Sequence, residues 1–132
     1  MIVVDASCIY ELISEGPASE WVRAELSDYQ DCAAPELIDV EVVGLLRRDV
    51  SSGALAASRA EIALAELLDW PGERFHHRSL AQRVWELRAN VRTADAFYVA
   101  LAEVLRCPLM TLDQRLTRAS GPTCEFRIPS SS

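Results

Sequence analysis

Four carboxylates stand where a solvated surface does not require them. Asp5 closes the apolar run Ile2-Val3-Val4, and Glu41 lies between Val40, Val42 and Val43. Asp95 stands at the start of a very apolar helical stretch, and Asp113 ends the run Leu109 to Leu112. Glu41 is the most informative of them. Its neighbours one helical turn away are Leu37, Ile38, Gly44 and Leu45, so no arginine offers a local ion pair. A charge on an apolar helix face is costly unless something answers it. Carboxylates gathered in one place repel and raise one another's pKa unless a divalent cation neutralises them. Ligands that are all oxygen suit Mg²⁺ or Mn²⁺. Such a centre polarises a phosphoryl oxygen and activates water. Each acid also fits a local role. Asp5 and Asp113 suit helix caps, Asp95 suits the positive end of a helix dipole, and Glu41 could reach solvent past its neighbours. The joint pattern weighs more than any one member.

These acids need a frame. Residues 2–4 fit a strand covered on both faces, and Ser7 suits the cap of a helix containing Ile9, Tyr10, Leu12 and Ile13. Gly16-Pro17 breaks that helix, and a second runs from Pro17 to Leu26. Cys32 to Ala34 is a short strand. Pro35 suits the first turn of a helix from Glu36 to about Val50, with Gly44 offering close approach on the Glu41 face. Ala54 to Trp70 forms a long helix, Glu73 to His77 a brief strand, and Ser79 to Ala89 a helix. Then come helix 94–106, strand 109–112, a short helix from Gln114 and a last strand, Cys124 to Ile128. Apolar strands alternating with helices predict an α/β fold: a three-layer α/β/α sandwich around a central parallel sheet of four to five strands. Residues 1–129 form a single domain in this reading, and 130–132 a disordered tail. Ligands of such sheets bind beyond the carboxyl ends of the strands, where strand order reverses. Asp5 and Asp113 stand at that edge. Asp95 joins them only if its helix starts there, which the sequence leaves open.

Composition narrows the classes. The chain has 132 residues, half of them apolar, enough for a real core. The N-terminus has no basic stretch and meets an acid at position 5, and no run is long and apolar enough to span a bilayer. A cytoplasmic protein is expected, with no membrane partner. Cys8, Cys32, Cys107 and Cys124 form no CxxC pair and are expected to be small buried hydrophobes, not zinc ligands or disulfides. All thirteen basic residues are arginine. Residues 1–73 hold fifteen acids and four arginines, whereas residues 74–132 hold five acids and nine arginines. The net charge of −7 argues against nonspecific nucleic-acid binding. The basic second half still leaves room for a local phosphate-binding surface, since arginine's planar fork suits phosphate.

The segments IVVDAS (2–7), PELIDVEVVGLLRR (35–48), TADAFYVALAEVL (93–105) and PLMTLDQRL (108–116), with CEFRI near the end, resemble the PIN-domain family. Within it they are most similar to the small toxins of VapBC toxin–antitoxin pairs. The resemblance covers nearly the whole chain in order. It implies that Asp5, Glu41, Asp95 and Asp113 are catalytic, metal-binding acids for Mg²⁺ or Mn²⁺. Ser7 and Thr111 would support the metal or its water. It further implies an endoribonuclease that cuts tRNA or ribosomal RNA by in-line attack, leaving a 5′-phosphate and a 3′-hydroxyl. A cognate VapB-type antitoxin would cover the acidic site, and a homodimer is expected. Ala94 departs from relatives that carry an aromatic residue there, implying a difference in substrate or packing.

Arg92 and Arg115 flank the acids and are candidates to grip RNA phosphate, although helix-surface arginine is commonplace. His76 and His77 fall in a loop and are given no role. Trp21, Trp70 and Trp85 read as core or dimer contacts. Other metal-using α/β families fit less well. Phosphatases of the haloacid dehalogenase type need Asp-x-Asp after the first strand, and this chain has Asp5-Ala6-Ser7. They and response-regulator receivers use a lysine, and this chain has none. The alternative from another class is a non-catalytic PIN scaffold acting as a binding module.

Overall fold

The computed structural model describes residues 1–130. Its sheet is built from Ile2–Val4 (β1), Cys32–Pro35 (β2), Glu73–Phe75 (β3), Leu109–Met110 (β4) and Phe126–Arg127 (β5). The order is β3-β2-β1-β4-β5, and every neighbouring pair is parallel. All three residues of β1 are fully buried. That is why the run is uniformly apolar instead of alternating: helices cover both faces of the central strand.

The helices are α1 (Ala6–Ser14), α2 (Ser19–Leu26), α3 (Leu37–Ser51), α4 (Ala57–Asp69), α5 (Ala81–Glu86), α6 (Thr93–Leu105) and α7 (Gln114–Arg118), with a 3₁₀ turn at Arg78–Leu80. α2, α3 and α4 gather around α1, while α6 lies against β1, β2 and β4 and carries α5. The expected three-layer parallel architecture is therefore the one found. The chain fills one side of the sheet with β2 and β3, then returns to add β4 and β5 on the other side of β1. Strand order reverses between β1 and β4, which opens a crevice beyond their carboxyl ends.

Several boundaries differ from expectation, each for a local reason. Pro35 is the last residue of β2, paired with Phe75, and not the first turn of α3. Its missing N–H is tolerated at a strand end. Asp5, not Ser7, caps α1: its Oδ1 accepts from the Cys8 amide at 3.1 Å. The expected strand 109–112 is paired only at Leu109 and Met110, and the expected strand 124–128 only at 126–127. Residues 79–89 divide into the 3₁₀ turn and α5. Of the expected disordered tail, 130–132, the last two positions lie outside the described residues.

Two connections fix the direction of the site helices. α3 starts two residues after β2 ends, so its first turn lies at the carboxyl edge of the sheet. α6 ends at Leu105, the next residue, Arg106, takes a left-handed conformation (φ 52°), and β4 begins only three residues after that. The C-terminus of α6 therefore sits at the amino edge and its first turn at the carboxyl edge. That settles the position of Asp95. At the far end of α6, Glu103 accepts from Arg83 Nε at 2.7 Å and from the Thr123 amide at 2.8 Å. This ties the segment before β5 to α5 and α6.

Of the tryptophans, Trp70 is buried and Trp21 packs against the core, but Trp85 is 63 % exposed with Arg88 over its ring. Trp85 is thus a surface residue, not core. Cys8 is buried; the other three cysteines are half-buried, and all four are free thiols.

Candidate active site

The four predicted carboxylates reach one concavity at the switch in strand order. Asp5, Glu41, Asp95 and Asp113 line it, together with Ala6, Ser7, Gly44, Leu45, Arg92 and Tyr98. Its volume is about 340 Å³. Asp5 leaves the end of β1, Glu41 comes from the second turn of α3, Asp95 from the first turn of α6, and Asp113 from the loop after β4.

Asp5 is only 7 % exposed. Burial raises its pKa above the usual aspartate value, against hydrogen bonds from Ser7, Thr111 and Cys8 that favour the charged form. The Ser7 hydroxyl donates to Asp5 Oδ1 at 2.6 Å, so Ser7 orients the acid as well as lining the site. Thr111 is fully buried and accepts from the Asp113 amide at 3.0 Å. That bond shapes the turn on which Asp113 stands. Asp113 in turn caps α7 through the amides of Arg115 and Leu116. Asp5 and Asp113 are therefore helix caps and site residues together, since each cap lies at the edge where the crevice opens.

Glu41 has the partner that its own helix lacks. The buried Tyr98 hydroxyl of α6 donates to Glu41 Oε1 at 2.8 Å. Burial raises the Glu41 carboxyl; the Tyr98 bond and Arg92 pull it down, while Asp95 and Asp5 push it up further. Burial likewise drives the Tyr98 phenol far above its usual range, and Glu41 adds to this. Tyr98 is a site residue that sequence reading passed over. The available signal was a tyrosine inside an apolar helix, whose buried hydroxyl must find a partner.

Arg92, just before α6, presents its fork to Asp95. Nε lies 3.3 Å from Oδ2 and Nη2 lies 3.2 Å from Oδ1. Nη2 also comes within 3.8 Å of Glu41 Oε2. Arg115 lines an adjoining groove with Asn90, Arg92, Asp95 and Asp113. His77 has a structural task that the sequence reading did not give it. Its Nε2 accepts from the Leu37 amide at 3.0 Å and so satisfies the first turn of α3.

The donor set is entirely oxygen, four carboxylates and two hydroxyls, which fits a hard divalent cation. Two of the acids carry charge that burial penalises, and a guanidinium already leans into the cluster; both features call for positive charge. Among the described residues, however, no three acidic, histidine or cysteine side chains are drawn together closely enough to hold a metal ion as they stand. Each acid is held instead by its own partner: Tyr98 for Glu41, Arg92 for Asp95, and the helix amides for Asp5 and Asp113.

Gly44 does not serve close helix packing, as its place beside Glu41 suggested. A Cβ there would meet nothing within 4 Å, so the glycine leaves the concavity open. Gly44→Ala is expected to raise stability by about 0.5–1 kcal/mol, from the helix propensity of alanine alone. A urea titration that shows no gain, or a loss, would mean that the backbone at 44 needs glycine's freedom.

Comparison with known proteins points one way. The sequence pattern of the PIN domain matches residues 2–122. Ribonuclease VapC1 of Mycobacterium tuberculosis is 39% identical over 127 residues, covering 96% of each chain. Among solved structures, VapBC2 from Rickettsia felis, bound to a DNA fragment from its promoter, aligns with a TM-score of 0.68. That alignment has 16% identity and covers 98% of this chain and all of the other. VapC20 of Mycobacterium tuberculosis, described as a sarcin–ricin-loop-cleaving toxin, aligns with a TM-score of 0.70. Its identity is 17%, over 89% of this chain and 94% of the other. At such identities the two structures bear on the fold alone.

Proposed function

The chain belongs to the PIN-domain family, and on that premise we propose that it is a Mg²⁺- or Mn²⁺-dependent endoribonuclease, the toxin of a VapBC-type toxin–antitoxin pair. The observation that carries this reading is the meeting of Asp5, Glu41, Asp95 and Asp113 in one concavity at the switch in strand order. Full-length similarity to a protein named as a VapC ribonuclease supports the same class.

When bound, the metal supplies a Lewis acid for the phosphoryl oxygen and lowers the pKa of water. The chain's own residues do the rest. Asp5, Glu41, Asp95 and Asp113 would hold the metal. Ser7 and Thr111 hold the β1 and β4 acids in place. The side chain of Tyr98 fixes Glu41 and closes the floor. Arg115 stands in the adjoining groove, where an RNA backbone would approach, and Arg92 leans into the acidic well itself. Structured RNA such as tRNA or a ribosomal RNA loop is the proposed substrate class.

A protein partner fits the outer face. An apolar groove between α3 and α4 is lined by Val43, Leu46, Val50, Ala60 and Leu64, and Val40, Ile62 and Leu68 are exposed nearby. We assign a cognate VapB-type antitoxin as the protein that silences the toxin, with the toxin acting in the cytoplasm as a homodimer. Among the described residues no helix is long and apolar enough to cross a membrane.

The test is direct. Purified protein, freed of partner, is incubated with total RNA and Mg²⁺ or Mn²⁺, and the new 5′ ends are sequenced. Recurrent 5′-phosphate ends that vanish with Asp95→Asn support the nuclease. RNA left intact by the parent under these conditions favours the non-catalytic binding module.

A further inference from the structure

Among the described residues Arg92 is the one cation that lines the acidic concavity, and its geometry is not that of a rim residue. Its guanidinium meets both oxygens of Asp95 at 3.2 and 3.3 Å and comes within 3.8 Å of Glu41. Asp95, Glu41 and Asp113 all strengthen its hold on its charge, Asp95 most of all. The two acids it engages come from different helices, α3 and α6, that face each other across the concavity. Its own side chain is 68 % exposed, so it can swing out at little packing cost. Asp95 and Glu41 are 22 % and 24 % exposed; Tyr98 holds Glu41 from the α6 side, and Arg92 is the partner of Asp95.

From this we infer that Arg92 is a built-in counter-ion of the site, which engages the carboxylate of Asp95 and lies beside that of Glu41 in the metal-free protein and gives way when a divalent cation binds. The inference rests on the metal-site reading above. The fork takes one lone-pair direction on each oxygen of Asp95, and its positive charge beside Asp95 and Glu41 repels an incoming cation. Metal binding and full engagement of the arginine therefore compete, so wild-type affinity for the metal is lower than the intrinsic affinity by a factor set by how fully arginine engages the site. The arrangement also keeps Asp95 and Glu41 oriented, and the cluster electrically answered, until the metal arrives. Displacement frees the guanidinium at the mouth of the site, beside the Arg115 groove, where phosphate would approach.

The experiment reads metal occupancy, not cleavage. Mn²⁺ is titrated into the full chain, and free Mn²⁺ is followed by its electron paramagnetic resonance signal, for the parent, Arg92→Gln and Arg92→Lys. Arg92→Gln is expected to bind Mn²⁺ about three- to tenfold more tightly than the parent. Arg92→Lys, which keeps the charge but loses the fork, is expected to fall between them. A second measurement does not depend on any variant: the Arg92 Nε–Hε resonance of the parent should move when diamagnetic Mg²⁺ is added. Equal or weaker Mn²⁺ binding by Arg92→Gln, or an unmoved Arg92 resonance in protein that does bind Mg²⁺, overturns the counter-ion while leaving the metal site standing. If neither parent nor variants bind Mn²⁺, the metal-site reading fails and the counter-ion falls with it.

Discussion

Asp5→Asn is expected to lower RNA cleavage by on the order of a hundred- to a thousandfold and, in metal-free buffer, to raise the thermal midpoint of the same protein. The two effects have one origin. Asp5 is almost wholly buried at the end of β1, and burial raises its carboxyl above the usual 3.8. Asparagine keeps the cap on the Cys8 amide and can still accept from Ser7, while removing the buried charge. The sign follows from the direction of the shift. A carboxyl whose pKa is higher in the fold than in the open chain binds its proton better when folded, so ionising it works against folding. Below pH 3.8 the parent carries no such penalty. The penalty grows as the pH rises through the window between 3.8 and the raised folded value, and it is complete above that window. Parent and variant should therefore melt together near pH 3.5 and diverge by neutral pH. Each kcal/mol relieved is worth about 3–6 °C. Melting curves at the two pH values, beside a cleavage assay with metal, check both halves. A variant that cuts RNA at the parental rate removes Asp5 from the site. One that melts lower at pH 7 shows that the charge is already answered in the metal-free fold.

The second large effect is expected from the metal itself. Chelation with EDTA should abolish cleavage, and Mg²⁺ or Mn²⁺ returned in excess should restore it. Divalent cation should also stabilise the parent by mass action, about 2.7 kcal/mol when present at a hundred times its dissociation constant. Asp5→Asn and Asp95→Asn should lose most of that gain. Thermal melts against rising Mn²⁺ measure it without any RNA present. A parent whose midpoint ignores Mn²⁺ and whose cleavage survives EDTA contradicts the metal assignment at both levels.

How much of this the sequence carried depended on the range of the interaction. Asp5 and Asp113 were legible because each ends an apolar run, and strand ends in a parallel sheet mark a known edge. Glu41 was legible as an acid without a local partner, but its partner was not: Tyr98 lies 57 residues away on another helix. The Arg92–Glu41 approach is hidden for the same reason. Asp95 waited on a direction, which the three-residue link between α6 and β4 supplies. His77 was passed over because a loop histidine gives no sign that a helix amide 40 residues earlier needs it. Asp5 and Ser7 were both fit to cap α1, and Asp5 is the one that does so, because the helix begins at Ala6. The strands Leu109–Met110 and Phe126–Arg127 were drawn too long because apolarity persists beyond the paired residues. For Trp85 the helical spacing among aliphatic residues left core and dimer contact open, and its 63 % exposure removes the first of these.

The strand order has a consequence for the timing of synthesis. β1 leaves the ribosome before the other four strands of its sheet, yet one of its two partners, β4, begins only at Leu109. Asp5 and Glu41 are made within the first third of the chain, Asp95 and Asp113 within the last. At about 5–20 residues per second, several seconds separate the two halves. A nascent chain therefore carries two acids and no complete site until translation is nearly over. A message cut or stalled before the codon for Asp113 yields a fragment that lacks one of the four acids, so the concavity is complete only once β4 and the loop after it have been made.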